Sequence, residues 1–207
     1  MRIVFLQNII DKLRNKYKKV RIHGLNNVIR KNSNVKVNIF IYGDNNKVIL
    51  DESVTDFYGE IQIGMPDCPA NNCTLTVGKN TTSNGIRIWL VEDNSVVEIG
   101  EDCMFSFNIS VDCSDTHSIF DCETKEILNI GKYVKIGNHV WVGKNVCICK
   151  NTTIPDNCVI GAGSIITKKF DKPNSIIAGV PAFKKKTNIN WSRLRPKDYL
   201  QQFSEKK

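Results

Sequence analysis

No stretch of the 207-residue chain approaches the ~20 consecutive apolar residues of a membrane-spanning helix. The apolar run Met1 to Leu6 ends at Gln7 and Asn8, too short for the apolar region of a secretory signal and without a small-residue cleavage site behind it. The cytoplasm is therefore the expected compartment. Histidine is scarce, at three residues, so a histidine-built metal centre has little to draw on and none is expected. Cysteine is plentiful, at eight, but paired spacing is missing: Cys68 and Cys73 lack the second pair a zinc knuckle needs, and the scatter reads as free structural thiols. Net charge is +8, with lysine and arginine dense from Arg14 to Arg21 and from Lys168 to Lys186. Stacking aromatics do not interleave with those runs and no reader motif appears, which argues against nucleic acid. A solvated basic face is the ordinary reading, and its field would also suit a phosphate-bearing small molecule or an acidic glycan.

What the chain has instead is a six-residue period. Ile130, Ile136, Val142, Ile148, Ile154, Ile160 and Ile166 fall six apart without a slip, and Val134, Val140, Val146, Thr152, Cys158 and Ser164 recur between them. Glycine follows at Gly131, Gly137, Gly143 and Gly161, which predicts corners at which glycine accepts backbone angles other residues do not. Such a repeat predicts a solenoid in which three hexads, about 18 residues, close one triangular coil. Stacked coils share a continuous apolar column and each lends its backbone hydrogen bonds to the next. A sandwich of short strands would show two-residue alternation and irregular turns.

The repeats begin early but imperfectly. Gly24-Leu25-Asn26-Asn27-Val28 is echoed by Gly43-Asp44-Asn45-Asn46-Lys47-Val48, and asparagine suits tight corners. Ile63-Gly64, Val77-Gly78 and Ile99-Gly100 are further fragments. The expected organisation is an N-terminal helix cap over residues 1–21, coils over 22–167 and a tail over 168–207. The cap rests on Phe5, Ile9, Leu13 and Tyr17 at helical spacing; its thin apolar stripe also leaves peripheral membrane contact open. Trp191, Leu194, Tyr199, Leu200 and Phe203 predict a short terminal helix packing back on the body.

The longest break in the period, residues 112–129, is a loop thrown from a rigid body, a common place for chemistry. It holds His117 among carboxylates, and histidine is the side chain best suited to take a proton near neutral pH. Asp115, Asp121 or a backbone carbonyl could fix one ring nitrogen. His139 falls at an outward place on a flat face, where a surface or subunit-contact role is expected, and His23 carries no local motif.

Three segments then point to a family. Ile136 to Val146 (IGNHVWVGKNV), Thr153 to Thr167 (TIPDNCVIGAGSIIT) and Ile177 to Ala182 (IAGVPA) resemble the hexapeptide-repeat acetyltransferases of the galactoside, maltose and capsule type. His117-Ser118-Ile119 followed 24 residues later by Trp141 is similar to that group's pattern, and Ser114 to Ile119 is most like the branch that modifies bacterial surface polysaccharides. Carbonic anhydrases on the same repeat carry closely paired ligand histidines, which His117, His139 and His23 do not match.

The resemblance implies an all-β solenoid, a left-handed parallel β-helix, assembled as a homotrimer that binds acetyl-CoA between subunits and acts on a glycan acceptor. It implies His117 as the base acting on the acceptor hydroxyl, with Trp141 shaping the adjacent pocket. Lys144, Ala162 and Thr167 match cofactor-contact positions, and Lys168, Lys184, Lys185 and Lys186 could neutralise its phosphates. Phe183 stands where the pattern is usually basic, so the phosphate lysine is not fixed. Arg87 aligns with the acceptor side, where an arginine would favour an acidic sugar. Transfer to an amine, or a non-enzymatic glycan-binding solenoid, are the rival readings.

Overall fold

A computed structural model describes residues 19–204. The expected N-terminal helix falls on residues outside that range for all but its last positions, and the first strand, Val20–His23, already begins there. Short parallel strands then recur along three ladders. One ladder stacks Val28–Arg30, Lys47–Leu50, Thr74–Val77, Val96–Ile99, Tyr133–Ile136 and Thr152–Ile154. A second runs Val20–His23, Lys36–Tyr42, Phe57–Ile63, the C-terminal half of Thr82–Leu90, Ile109–Asp112, Cys147–Cys149 and Ile165–Ile166. The third begins at Thr82 and Ser83 and continues through Met104–Phe105, Trp141–Val142, Val159–Ile160 and Ile176–Gly179. Each strand pairs with the one a whole coil later, as Val134 with Thr152, Val142 with Ile160 and Ile148 with Ile166. Among the strand pairings of the described residues, only the last is antiparallel, between Ile176–Gly179 and Ala182–Lys186.

The repeat positions face inward as expected. Ile136, Val142, Ile148, Ile154, Ile160 and Ile166 are buried, as are Val134, Val140, Val146, Thr152, Cys158 and Ser164. Ile130 departs from this: half exposed, it belongs to the returning loop, because the coil resumes only at Tyr133. The ladder also runs beyond Thr167, to Gly179.

Glycine has a different role at the corners from the expected one. Gly131, Gly137, Gly143 and Gly161 do not carry the left-handed dihedrals; Asn145, Asn151, Asn157 and His139 do, with φ from 52° to 59°. What glycine supplies is closeness between coils. A Cβ on Gly137 would lie 2.7 Å from the Asp156 amide nitrogen, and one on Gly131 would lie 1.9 Å from the Cys113 carbonyl oxygen. Asparagine supplies the turn because its short polar side chain tolerates that conformation. In the early coils Asn27 and Asn46 also form an internal ladder: Asn27 Oδ1 accepts from the Asn46 amide and Asn46 Oδ1 from the Cys73 amide. These bonds satisfy polar backbone that the coil buries at its corner.

Candidate active site

The loop carrying His117 leaves the second ladder after Asp112 and rejoins the first at Tyr133. One side chain organises its base. Asn129 Nδ2 donates to Asp115 Oδ2 and to the His117 carbonyl, both at 2.8 Å, while Asn129 Oδ1 accepts from the Ile119 amide at 2.7 Å. Lys150, one coil below, donates to the same Asp115 oxygen. The Lys150 and Asn129 bonds hold the Asp115 carboxyl below its ordinary range. Ser114 Oγ donates to Glu92 Oε1 at 2.6 Å and accepts from the Thr116 amide, fixing the loop's departure. Beyond this frame Phe120 and Ile127 bridge a small antiparallel turn.

His117 is thus fixed through its backbone and exposed at its ring. Among the described residues no hydrogen bond reaches the imidazole. The structure does not bring Asp115 to it, since Asn129 and Lys150 take that carboxylate, and Asp121 instead accepts from the Glu123 and Thr124 amides.

Trp141 lies on the third ladder with its side turned outward, 39 % exposed. The His117 loop runs from the second ladder to the first, so it leaves from and returns to the two ladders that do not carry Trp141. Trp141 meets the indole of Trp191 at 6.0 Å between centroids, and Trp191 stacks on His139 at 4.2 Å with ring planes 12° apart. Trp191 Nε1 donates to the His139 carbonyl at 2.8 Å, and the His139 ring bridges Asp102 Oδ2 and the Trp191 carbonyl. Arg193 completes the cluster with bonds to Asp102, Thr82 Oγ1 and the Asn80 and Cys103 carbonyls. Burial opposes ionisation of Asp102, but His139 and Arg193 prevail and hold its carboxyl low. His139 therefore sits at a corner clamped by the tail rather than on an open flat face.

The expected cofactor positions divide between two corners. Lys144 and Ala162 share one, where the Gly163 amide donates to the Lys144 carbonyl at 2.9 Å. Both side chains are exposed, and a Cβ built on Gly163 would meet nothing within 4 Å, so backbone is open to a ligand there. Thr167 and Lys168 occupy the next corner, beside a cleft of about 350 Å³ lined by Lys168, Lys169, Lys172, Lys184 and Phe183. Lys168 Nζ stands 4.3 Å from the Phe183 ring centre. Lys186 pairs with Ile176 on the closing hairpin. Arg87 projects from the second ladder, with its guanidinium 3.2 Å from Asp112 Oδ1 and 4.5 Å from the Trp89 ring centre. Among the described residues no group of three His, Cys, Asp or Glu is arranged to hold a metal, and no helix is long and apolar enough to cross a membrane.

Residues 133–168 match the family model of the bacterial transferase hexapeptide, six repeats. Over 90 % of its length and 100 % of the other's, the chain is 31 % identical to the polysialic acid O-acetyltransferase OatWY, with a TM-score of 0.63. The chain belongs to the hexapeptide-repeat acyltransferase family. It is also 29 % identical to the polysialic-acid-specific acetyltransferase NeuO, covering 92 % of this chain and 99 % of that one, with a TM-score of 0.70. A galactoside acetyltransferase solved with coenzyme A is 27 % identical over 72 % of this chain and 70 % of its own, with a TM-score of 0.53. No curated protein sequence matches the chain.

Within this hexapeptide-repeat transferase, sequence reasoning missed Asn129, Lys150, Asp102 and Arg193; Trp191 packs back on the body as expected, but ahead of the terminal helix Pro196–Ser204 rather than within it, and its partner is His139. Asn129 and Lys150 flank the loop's return, and because Lys150 lies 35 positions from Asp115 the regular 18-residue coil gives no signal of their pairing. The Arg193 contacts, with partners 90 to 113 positions away, leave no local trace.

Proposed function

We propose that this transferase is an acetyl-CoA-dependent O-acetyltransferase acting on a sugar hydroxyl of an acidic, sialic-acid-type surface polysaccharide or its precursor. The observation that carries the reading is the 31 % identity over all of a polysialic acid O-acetyltransferase. Three parallel ladders, offset by 18 residues in their later coils, support a closed left-handed β-helix. Assembly as a homotrimer is supported by two features. In a closed triangular coil the His117 loop, between the second and first ladders, lies opposite the Trp141 face, so the two would meet only across an interface. The loop also exposes Ile119, Phe120, Ile127 and Leu128, apolar surface that a neighbour would cover.

The residues present fit acetyl-CoA. The lysine-lined cleft suits its phosphates, and the open backbone at Ala162 and Gly163 admits a narrow arm. When bound, acetyl-CoA supplies a thioester whose acyl carbon accepts the hydroxyl oxygen and whose sulfur departs. A free nitrogen of the His117 ring takes the hydroxyl proton as that oxygen attacks, then returns it to the departing sulfur. Asp115 acts at one remove: with Asn129 and Lys150 it fixes the loop that aims the imidazole. Trp141 walls the pocket from the neighbouring subunit.

Thiol release from acetyl-CoA with neutral and acidic glycans tests this. His117→Ala is expected to lower turnover at least about 100-fold with acetyl-CoA binding retained, and a base-labile product identifies an ester rather than an amide. Turnover near that of the unaltered chain would refute the role of His117.

A further inference from the structure

The outer side of the second ladder carries a file of side chains, one per coil. Arg21 pairs in register with Phe40, Phe40 with Gln62, Gln62 with Trp89 and Trp89 with Asp112, the last residue before the His117 loop. At about 4.8 Å per step this file spans roughly 19 Å. A cleft of about 420 Å³ lies along it, lined by Arg21, Phe40, Tyr42, Gln62 and Trp89 and walled by the tight turn from Met65 to Cys68. In that turn Met65 and Cys68 exchange backbone hydrogen bonds of 2.8 and 3.0 Å, so the wall is built rather than loose.

We propose that this cleft is a distal subsite for an acidic glycan, binding sugar residues of the acceptor chain well away from the hydroxyl that is modified. The inference rests on the transferase reading for its link to the loop, but the cleft's own chemistry points to the ligand class. Aromatic faces and a small number of polar groups are how proteins hold sugar rings, whose C–H surfaces are apolar and whose rims are not. Arg21 is exposed, and no ion pair to it forms among the described residues, which leaves its fork for a carboxylate on the ligand. Asp67 on the turn opposes an anion, so the carboxylate belongs at the Arg21 end and the hydroxyls at the turn. Trp89 Nε1 is buried with no partner among the described residues, a donor that a small shift of the ring would offer to a ligand oxygen. Arg87, over the Trp89 ring and bonded to Asp112, continues the file to the loop. The subsite makes the enzyme measure acceptor length, because only a chain longer than about 19 Å reaches both ends.

Binding of a sialic acid dimer, a sialic acid octamer and a neutral glucan octamer is measured calorimetrically on the His117→Ala chain, which separates binding from transfer. Arg21→Gln and Phe40→Ser are compared with it, and unchanged thermal melting establishes that they fold. Arg21→Gln is expected to weaken the sialic acid octamer about tenfold while leaving the dimer unchanged, with Phe40→Ser acting in the same direction. Equal loss for dimer and octamer, no loss for either, or equal binding of the neutral octamer overturns the subsite. Transfer is scored separately on the chain with His117 intact. Absence of transfer to any glycan, with Arg21-dependent octamer binding preserved, refutes the transferase reading and leaves the cleft standing. His117-dependent transfer to the dimer, with no Arg21 effect on the octamer, does the reverse.

Discussion

Removing the Trp191 indole should release the tail without touching the coils. Trp191→Ala deletes the hydrogen bond to the His139 carbonyl, worth about 1 kcal/mol net. It also deletes the face-to-face contact with the His139 ring, worth about 1 kcal/mol beyond the area it covers. Adding the lost apolar contact with Trp141, docking of residues 187–195 should weaken by about 2 to 3 kcal/mol, a factor of about 30 to 150 in the opening equilibrium. The reporter is the Ile189 amide, bonded to the Asn174 carbonyl at 3.0 Å at the root of this segment. Native-state hydrogen exchange at Ile189 should accelerate by that factor. The Trp141 amide, bonded to the Cys158 carbonyl at 2.9 Å within the ladder, should not change. Unaltered exchange at Ile189 would show that Arg193 and the Asn174 bonds to Ile189 secure the tail without the indole. Equal acceleration of both amides would show that the cluster supports the coils and refute the separation of strap from solenoid.

The closeness of Gly131 to Cys113 makes a second prediction: Gly131→Ala, whose Cβ would fall 1.9 Å from a backbone oxygen, should displace the root of the loop and depress transfer while far-ultraviolet dichroism stays that of the coils. Cys147 should be alkylated before Cys103 and Cys113 near pH 7.5, because the Cys149 thiol 3.9 Å away draws its pKa down to about 7, whereas burial pushes Cys103 to about 11 and Cys113 to about 12. Peptide mass spectrometry after brief iodoacetamide treatment would refute this if Cys103 or Cys113 reacted as fast. Hydrogen bonds and neighbouring cations hold the Asp102 and Asp115 carboxyls below the ordinary aspartate pKa in the folded chain. Folding therefore gains from them above that ordinary pKa and loses the gain as pH falls through their depressed values. Lys150→Met should raise the Asp115 pKa and move acid unfolding to higher pH, observable by carboxyl NMR and dichroism together.

The second half of the fold was legible because nothing interrupts it. From Ile136 to Ile166 every sixth residue is apolar and every one is buried, so the period translates directly into coils. The first half obeys the same geometry with longer corners, as where Val48 pairs with Leu75 and Ile61 with Ile88, and insertion at a corner erases a strict period without disturbing the ladder. The asparagine echo survived such insertion because its role is local: Asn26 and Asn45 turn the chain while Asn27 and Asn46 bond across coils. Glycine misled for the opposite reason. Its effect on its own dihedrals is read from sequence, but its effect on the next coil, as Gly137 on Asp156, is a distance that only the stacked structure contains.

The site was legible to a different depth. His117 could be found because breaking a regular repeat is conspicuous, and a histidine in such a break has few structural reasons to be there. What orients it could not. Sequence offers Asp115 as the nearest carboxylate, yet two residues along a turn is a poor distance for a side chain to reach a neighbouring ring, and the same oxygen lies directly above Lys150. A charge a coil away wins over a neighbour in sequence because stacking places coils about 4.8 Å apart with side chains aligned. The same rule makes the file from Arg21 to Trp89 readable once the register is known, since residues nineteen to twenty-seven positions apart become adjacent on one flat face. In a solenoid the useful sequence neighbour of a functional residue is the one a coil away, and the irregular coil lengths of this chain hide it until the ladders are drawn.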